Sequence, residues 1–293
     1  MTALLDVLNQ SPALYYSLAT VLGLVVGSFL NVVIARLPVM MERAWQSEAR
    51  SVLELEPGED EQPTFNLSVP RSHCPKCEHP IRWYENIPLI SYLGLRGRCS
   101  QCGVGISPRY PLVELITGVL SLGVVMILPP SWEALAWLIF AWALVALTFI
   151  DLDTQLLPDQ ITLPLLWLGL LISLIGVSSL SLEDAVIGAM AGYMSLWLVY
   201  HGFRLLTGKE GMGYGDFKLF AVFGAWFGWQ ALPIIILLSS VVGALAGVLM
   251  MILMGRDKSI PIAFGPYLCA AAVVQLFWGD LIWTTYLQWA LAS

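Results

Sequence analysis

Charged side chains are scarce in this chain of 293 residues, since Asp, Glu, Lys and Arg together make up only 12% of it. Soluble domains carry about 25% charged residues, so this chain cannot cover a globular surface with polar groups. Basic residues are the rarer sign, with 14 Lys and Arg against 21 Asp and Glu, and a net charge of −7 argues against a nucleic-acid partner. The composition also excludes a disordered chain, a collagen, a coiled coil and a disulfide-rich secreted scaffold. Hydrophobic residues reach 58%, so we expect the lipid bilayer to cover much of the surface.

Long apolar runs could supply that lipid-facing surface. A helix needs about 20 apolar residues to cross the hydrocarbon layer. Eight runs are candidate spans: residues 14–36, 112–128, 133–150, 161–178, 185–203, 217–231, 233–254 and 262–285. The first run is too long for a signal peptide and lacks a small-residue cleavage site, so we interpret it as a retained span.

Basic residues are missing from one set of connecting segments. The segments on one side of an eight-span chain contain no Lys or Arg: 1–13, 129–132, 179–184, 232 and 286–293. All the basic residues therefore fall on the other side. Because cytoplasmic loops are enriched in Lys and Arg, this pattern predicts that the basic side is cytoplasmic. Both termini are then expected on the opposite side.

The connection between the first two spans, residues 37–111, is the only sizeable loop. Its first part is acidic, which is typical of a solvated and flexible stretch. The acidic residues are Glu54, Glu56, Glu59, Asp60 and Glu61. Its second part, residues 70–110, has a different character and contains four of the five cysteines.

Those four cysteines form two C-x-x-C motifs, Cys74 with Cys77 and Cys99 with Cys102, separated by 21 residues. Each motif places two thiols on one tight turn, and two such turns complete a tetrahedral S₄ shell that suits Zn²⁺. Free or redox-active thiols are the alternative interpretation, although cytoplasmic thiols are kept reduced unless a metal holds them. A four-sulfur shell leaves no open position for water, so we expect a structural zinc.

Three other potential metal ligands are interpreted differently. His73 and His79 flank the first motif and could replace a thiol, but four sulfurs already suffice. Cys269 lies inside the last span and is expected to be a small core residue.

These features predict an all-α polytopic membrane protein with about eight transmembrane helices. Residues 1–36 would contain the first helix. Residues 37–111 would form a cytoplasmic loop with a zinc-binding subdomain at 70–110. Residues 112–293 would form a seven-helix membrane core.

Two aspartates at the ends of predicted spans are the main catalytic candidates. Asp151 closes the third span and Asp216 opens the sixth, so both would lie at cytoplasmic ends although they are 65 residues apart. Ionisable side chains in membrane helices are costly and therefore mark functional sites. Two adjacent carboxylates share one proton, so the charged one can deprotonate water while the other donates to a carbonyl.

That chemistry would hydrolyse a peptide bond without a metal ion. Gly213 and Gly215 place no side chains just before Asp216, which would let an extended peptide approach closely. The alternative is that Asp151 and Asp159 only cap helix ends, with Asp216 as a helix N-cap.

Other motifs fit these residues poorly. Asp151 and Asp153 begin a D-x-D-x-T phosphatase pattern, but Gln155 occupies the Thr position and a membrane helix precedes it where a strand is needed. The glycines before Asp216 do not match G-x-G-x-x-G, and no strand precedes them. Glu114, at the start of the second span, is expected to be an ordinary interfacial residue rather than a third polar member of the site.

With these motifs in place, the chain resembles type IV prepilin peptidases, which are bifunctional leader peptidase/N-methyltransferases among the G-x-G-D intramembrane aspartic proteases. The specific part of the resemblance is the order of two C-x-x-C motifs, D-x-D-x-x-x-x-P-D and G-Y-G-D. Further matching segments are Gly27–Val33, Glu85–Pro88, Arg96–Cys99, Tyr110–Glu114 and Phe264–Tyr267. Residues 38–70 match least.

The resemblance implies roles for the candidate residues. Asp151 and Asp216, rather than Asp153, match the catalytic aspartates of the family, and the four cysteines match its zinc-binding tetrad. The implied substrates are type IV prepilins and type II secretion pseudopilins, whose basic leader would be cut at the cytoplasmic face of the bacterial inner membrane. The new N-terminus would then be methylated with S-adenosylmethionine, with Gly97 and Arg98 as candidates for the methyl-donor site.

Two hypotheses from other classes use the same residues. A cation transporter could use Asp151, Asp153 and Asp216 as ligands, although no internal repeat typical of transporters is visible. A non-enzymatic assembly protein could instead dock a partner through its zinc loop.

Overall fold

The computed structural model describes residues 2–54, 64–209, 211–254 and 263–292. Within these ranges the regular structure is helical, and ten α-helices are numbered α1 to α10 in chain order. They are Thr2–Gln10, Pro12–Val52, Ile90–Gly94, Arg109–Ile127, Trp132–Thr154, Asp159–Leu174, Leu182–Thr207, Tyr214–Phe227, Leu232–Met254 and Gly265–Ala292. Two 3₁₀ turns cover Trp83–Asn86 and Trp229–Ala231. The predicted all-α membrane fold is confirmed.

Helices occupy all eight predicted spans, but they differ in length. Six of them are long and apolar enough to cross a membrane: α2, α4, α5, α7, α9 and α10. Helix α6 has 16 residues and α8 has 14, so at about 1.5 Å per residue both are shorter than a hydrocarbon layer of about 30 Å. Helix α8 is buried along most of its length, with Phe217, Leu219 and Phe223 fully enclosed. A helix surrounded by protein does not have to match the thickness of the lipid.

Helix α2 continues to Val52, past the predicted end of the first span at residue 36. The segment after the helix packs back on this extension. The Arg36 guanidinium donates to the carbonyls of Asn66 and Pro70, at 2.9 and 2.7 Å, and Arg43 lies 4.4 Å from the centre of the Phe65 ring. These contacts stabilise helix where the sequence predicted loop.

Parts of the predicted topology lie outside the described residues. These are most of the acidic stretch, residues 56–61, and the basic residues Arg256 and Lys258. The solvated, flexible character predicted for the acidic stretch therefore stays a prediction.

The chain divides into two compact units, residues 1–126 and 127–293. Helix α4 belongs to the first unit, whereas the sequence-based division grouped it with the membrane core at 112–293. Close packing explains the difference. A Cβ built on Gly27 of α2 would lie 2.7 Å from the Cα of Glu114, and one on Gly23 would overlap the Ser121 side chain. Composition alone does not reveal this backbone contact between α2 and α4.

Helices α7 and α8 of the second unit are in backbone contact through glycines. A Cβ on Gly224 would overlap the carbonyl oxygen of Gly188, and a Cβ on Gly188 would overlap that of Gly224. One turn away, a Cβ on Gly192 would lie 2.5 Å from the Phe220 carbonyl oxygen. Small residues let membrane helices approach this closely, which fixes α8 against α7.

Replacing Gly224 by Ala should therefore destabilise the second unit, because neither backbone can move away easily. We expect a loss of about 3 kcal/mol or more, at the upper end of overpacking changes. A thermal unfolding midpoint measured in detergent would show a decrease of several degrees.

Gly202 provides a matched control in α7, because a Cβ there meets nothing within 4 Å. Gly202→Ala should raise stability by about 0.5–1 kcal/mol through the unfolded chain. Equal midpoints for the two variants would contradict the packing described for α7 and α8.

Candidate functional site

The two predicted aspartates come together in the second unit. Asp151 lies in the last turn of α5 and Asp216 is the third residue of α8. Their side chains are buried, with exposures of 4% for Asp151 and 8% for Asp216. The two carboxylates are close enough to repel each other electrostatically. The Cys269 thiol of α10 is close enough to interact electrostatically with both of them. Two acids at this depth therefore share one environment.

Each carboxylate accepts a hydrogen bond at the start of a helix. The backbone N–H of Gly265, the first residue of α10, donates to Oδ2 of Asp151 at 2.9 Å. The backbone N–H of Gly213, just before α8, donates to Oδ2 of Asp216 at 3.3 Å. Helix N-termini carry a partial positive charge, so both positions favour a carboxylate. The predicted capping role is thus partly confirmed, but both of the carboxylates that cap these helices are buried.

Leu157 and two glycines form the apolar surroundings of the pair. A Cβ on Gly215 would lie 2.9 Å from Cβ of Leu157. A Cβ on Gly265 would lie 2.6 Å from Oδ2 of Asp151 and 3.1 Å from Leu157 Cδ2. Gly265 therefore has to lack a side chain for its N–H to reach the Asp151 carboxylate.

The other acidic residues of the motif lie apart from the buried pair. Asp153 is exposed, two residues after Asp151. Asp159 begins α6 and forms an ion pair with Lys218 of α8, with both carboxylate oxygens 2.7 Å from Nζ. This ion pair joins the start of α6 to α8 and leaves Asp151 and Asp216 as the enclosed acids.

The four cysteines of the first unit form one cluster. Their sulfur atoms all lie within 4.8 Å of one another, and the shortest separations are 3.8 Å for Cys74 with Cys102 and 4.0 Å for Cys77 with Cys99. A tetrahedral Zn²⁺ site with bonds of about 2.3 Å needs sulfurs at about this spacing. The cluster could therefore hold a metal ion.

Both C-x-x-C turns have the same backbone geometry. Cys74 N donates to the His79 carbonyl at 2.9 Å, and Cys99 N donates to the Val104 carbonyl at 2.8 Å. The residue four positions after each first cysteine, Glu78 or Gly103, has positive φ. This repeated geometry brings each pair of thiols to the same side of its turn.

The turns also stabilise thiolates. Hydrogen bonds from the backbone N–H groups of Cys77 and Lys76 hold the pKa of Cys74 at about 6. The N–H groups of Cys102 and Gln101 similarly hold the pKa of Cys99 below its usual range. At Cys77 the His79 N–H acts to lower the pKa, but burial and the neighbouring thiols raise it to about 12. Thiolate is the form that binds metal, so the first cysteine of each turn is the one favoured as a ligand.

The histidines beside the first motif are not part of the cluster. His79 Nε2 lies 3.4 Å from the Glu85 carboxylate, and His73 Nδ1 lies 3.1 Å from the Arg71 carbonyl oxygen. The cluster itself consists of thiols, as the sequence favoured.

The burial of Glu114 was not predicted from the sequence. Its residue exposure is 8%, and its Oε2 accepts a hydrogen bond of 2.9 Å from the Leu89 backbone N–H. It is therefore a buried polar group of the first unit, and the expectation of an ordinary interfacial residue is wrong. The signal was present, since a carboxylate inside an apolar run rarely lacks a role.

Comparison with known proteins identifies the family. The model of the bacterial peptidase A24 N-terminal domain matches residues 21–128, and the model of the type IV leader peptidase family matches residues 138–248. The chain belongs to the type IV leader peptidase family. The resemblance inferred from the sequence motifs is thereby confirmed.

Curated relatives of this family match nearly the whole chain. A protein of Aeromonas hydrophila named prepilin leader peptidase/N-methyltransferase is 58% identical, over 98% of this chain and 99% of its own. Proteins with the same name from Pseudomonas aeruginosa and Neisseria gonorrhoeae are 55% and 52% identical, covering 98% and 93% of each chain. No solved structure matches the chain.

Sequence reasoning assigned no role to two residues of the aspartate site. Gly265 lies in a matching segment, Phe264–Tyr267, yet nothing in that segment indicates that its N–H binds Asp151, 114 residues away. Leu157 lies between Asp151 and Asp159 and reads as an ordinary apolar residue. Only the fold shows that it touches both glycine positions.

The burial of Cys269 leads to a test by thiol chemistry. Cys269 is 2% exposed in α10, whereas Cys77 and Cys102 are exposed. Cys74 is itself only 6% exposed, but it lies in a loop with few buried apolar side chains, whereas Cys269 lies in a packed helix. With a chelator present to open the thiol cluster, native protein should therefore react with a thiol reagent at four cysteines, and denatured protein at five. The Cys269→Ser variant should give four under both conditions. A fifth fast-reacting thiol in the native wild-type protein would contradict the described packing of α10.

Proposed function

We propose that this chain is a membrane aspartic endopeptidase that removes the basic leader of type IV prepilins and type II secretion pseudopilins, and then methylates the new N-terminal amine. The main support for this proposal is the buried pair of Asp151 and Asp216, which come together although they are 65 residues apart in the sequence. The names of full-length relatives support both activities and the prepilin substrates.

The geometry of the pair supports a division of roles in peptide hydrolysis. Asp151 accepts the shorter hydrogen bond, from Gly265, so negative charge is best placed there and the shared proton on Asp216. Asp151 would then take a proton from water as the water attacks the peptide carbonyl carbon. Asp216 would donate its proton to the carbonyl oxygen, and collapse of the tetrahedral intermediate would return a proton to the leaving amine.

The proposed location is the bacterial inner membrane, with the aspartate pair and the 37–111 loop facing the cytoplasm. Six long apolar helices support a multi-pass membrane protein. The distribution of Lys and Arg supports the orientation. Prepilins carry their basic leader on this side, so enzyme and substrate would meet at the same face.

We propose that the thiol cluster holds one structural Zn²⁺, with Cys74, Cys77, Cys99 and Cys102 as its ligands. The sulfur separations fit the ion, and the four thiols fill a tetrahedral shell. When bound, the ion would cross-link the two C-x-x-C turns of a segment that has little core of its own.

S-adenosylmethionine is the proposed methyl donor, in accord with the methyltransferase name of the relatives. When bound, it supplies an electrophilic methyl group on a sulfonium sulfur to the new N-terminal amine. Neither comparison supports the cation transporter, because relatives that match nearly the full length carry the peptidase name.

Exchanging either buried aspartate for Asn should abolish prepilin cleavage, because one carboxylate cannot both accept and donate the required protons. We expect Asp151→Asn and Asp216→Asn each to lower the cleavage rate by at least about 100-fold. The measurement is cleavage of a purified prepilin by enzyme in detergent.

Asp153→Asn is the matched control, since it removes an exposed carboxylate two positions from Asp151. It should keep most of the activity. Wild-type cleavage by Asp151→Asn or Asp216→Asn would rule out the pair as the catalytic acids.

Elemental analysis should find one zinc per chain in freshly purified protein. Changing Cys74 and Cys99 together to Ser should remove it, because each C-x-x-C turn then retains one thiolate. Cys269→Ser should retain full zinc content. Protein with intact cysteines but no bound zinc would contradict the proposal.

A further inference from the structure

A cavity of about 540 Å³ lies within the first unit. Helix α2 contributes Asn31 and Ala35, the segment before α4 contributes Tyr92, and α4 contributes Glu114. Sites for small molecules have volumes of about 300–1,000 Å³, so this one can enclose a ligand of that class. All the residues that line it belong to 28–114, so it is distinct from the aspartate pair.

The charges around the cavity favour a cation. Glu85 and Glu114 both line it, and Arg36 is the opposing cation in the lining. The Arg36 guanidinium already donates to the carbonyls of Asn66 and Pro70. Glu85 is engaged as well, with the Arg82 N–H, the Ser100 hydroxyl and His79. Glu114 is therefore the lining carboxylate with more remaining acceptor capacity.

Glu114 is the more deeply placed of these acids. It accepts hydrogen bonds from the Leu89 N–H and from the Ser28 side chain. A carboxylate has about four acceptor positions, so it retains capacity for a ligand. Leu89 has φ 57° and ψ −44°, an unusual conformation for a side-chain-bearing residue. The backbone thus adopts a strained geometry where it directs an N–H to Glu114.

Aromatic side chains supply flat surfaces in the same cavity. Tyr92 and Tyr110 both line it. The Tyr92 hydroxyl donates to the Ile106 carbonyl at 3.4 Å, and a Cβ on Gly97 would lie 2.9 Å from that hydroxyl. Gly97 therefore packs against the Tyr92 ring without lining the cavity. Arg98, the other residue suggested by the sequence for the methyl-donor site, does not line it either.

We propose that this cavity is the binding site of S-adenosylmethionine. The proposal rests on the methyl transfer proposed above and adds the place and the residues. The ligand combines an aromatic base with a sulfonium and an ammonium, so it carries net positive charge. The tyrosine rings match the base, and the Glu114 carboxylate matches a positive charge, with the negative charge of Glu85 also in the lining.

The thiol cluster gains a role from this placement. Cys74 and Cys99 line the cavity, so the turns that would hold zinc also form part of its wall. A structural metal would then maintain the shape of a cofactor site.

The test is direct binding of radiolabelled S-adenosylmethionine to the purified full-length protein in lipid nanodiscs. Glu114→Gln keeps the shape and an acceptor for Leu89, yet should weaken binding about tenfold or more, as expected for the loss of one charged contact. Ala35→Trp should abolish saturable binding by filling the cavity. Val39→Trp is the matched control, because Val39 follows one turn later on α2, is 38% exposed and does not line the cavity.

Wild-type affinity in Val39→Trp, with zinc content equal in all variants, would support the assignment. Wild-type binding by both Glu114→Gln and Ala35→Trp would overturn the location and leave methyl transfer intact. If wild-type protein neither bound the donor nor methylated a cleaved pilin, the methyltransferase half of the proposed function would fail as well. Competitive displacement of the donor by a basic leader peptide would instead assign the cavity to the peptide.

Discussion

The burial of two carboxylates is the constraint on which the second unit depends. Removing an ionised carboxylate from water costs several kcal/mol even after relaxation, and a second one nearby adds repulsion. Backbone N–H groups at the starts of α8 and α10 offset this cost through hydrogen bonds of 3.3 and 2.9 Å and through their helix dipoles. Helix α8 begins at the exposed Tyr214 and becomes largely buried from its third residue, Asp216, onward. Its glycine contacts with α7 then hold that starting point in place.

Much of this architecture could be predicted from the sequence, because lipid imposes strong rules on composition. Apolar runs located eight helices, and the confirmed family follows from motifs that survive in linear order. Helix partners could not be predicted, since an apolar face looks the same whether lipid or protein covers it. The grouping of α4 with α2, the burial of Glu114 and the contact of Gly265 with Asp151 all depend on such long-range packing. The contacts of Arg36 and Arg43 with Phe65, where α2 extends past its predicted end, are also long-range.

The first unit is stabilised differently from the second. Residues 64–108 contain little regular structure and few buried apolar side chains, so hydrophobic packing alone gives this segment little stability. Paired turns with matching backbone geometry bring four thiols together, and a metal ion at that point would supply folding free energy directly. The short loops of this segment form part of the wall of the polar cavity. Loops can place polar groups around a cavity more freely than the regular surface of a helix bundle.

The two proposed reactions place different requirements on water. Peptide hydrolysis consumes a water molecule, so water must reach the carboxylate pair. Methyl transfer from a sulfonium to an amine consumes no water, so the proposed donor site does not need access to it. Two separate pockets can meet these conditions independently. The two family models match residues 21–128 and 138–248 separately, nearly the same division as the two compact units. We therefore interpret the two-unit organisation as the physical solution that lets one chain carry both reactions.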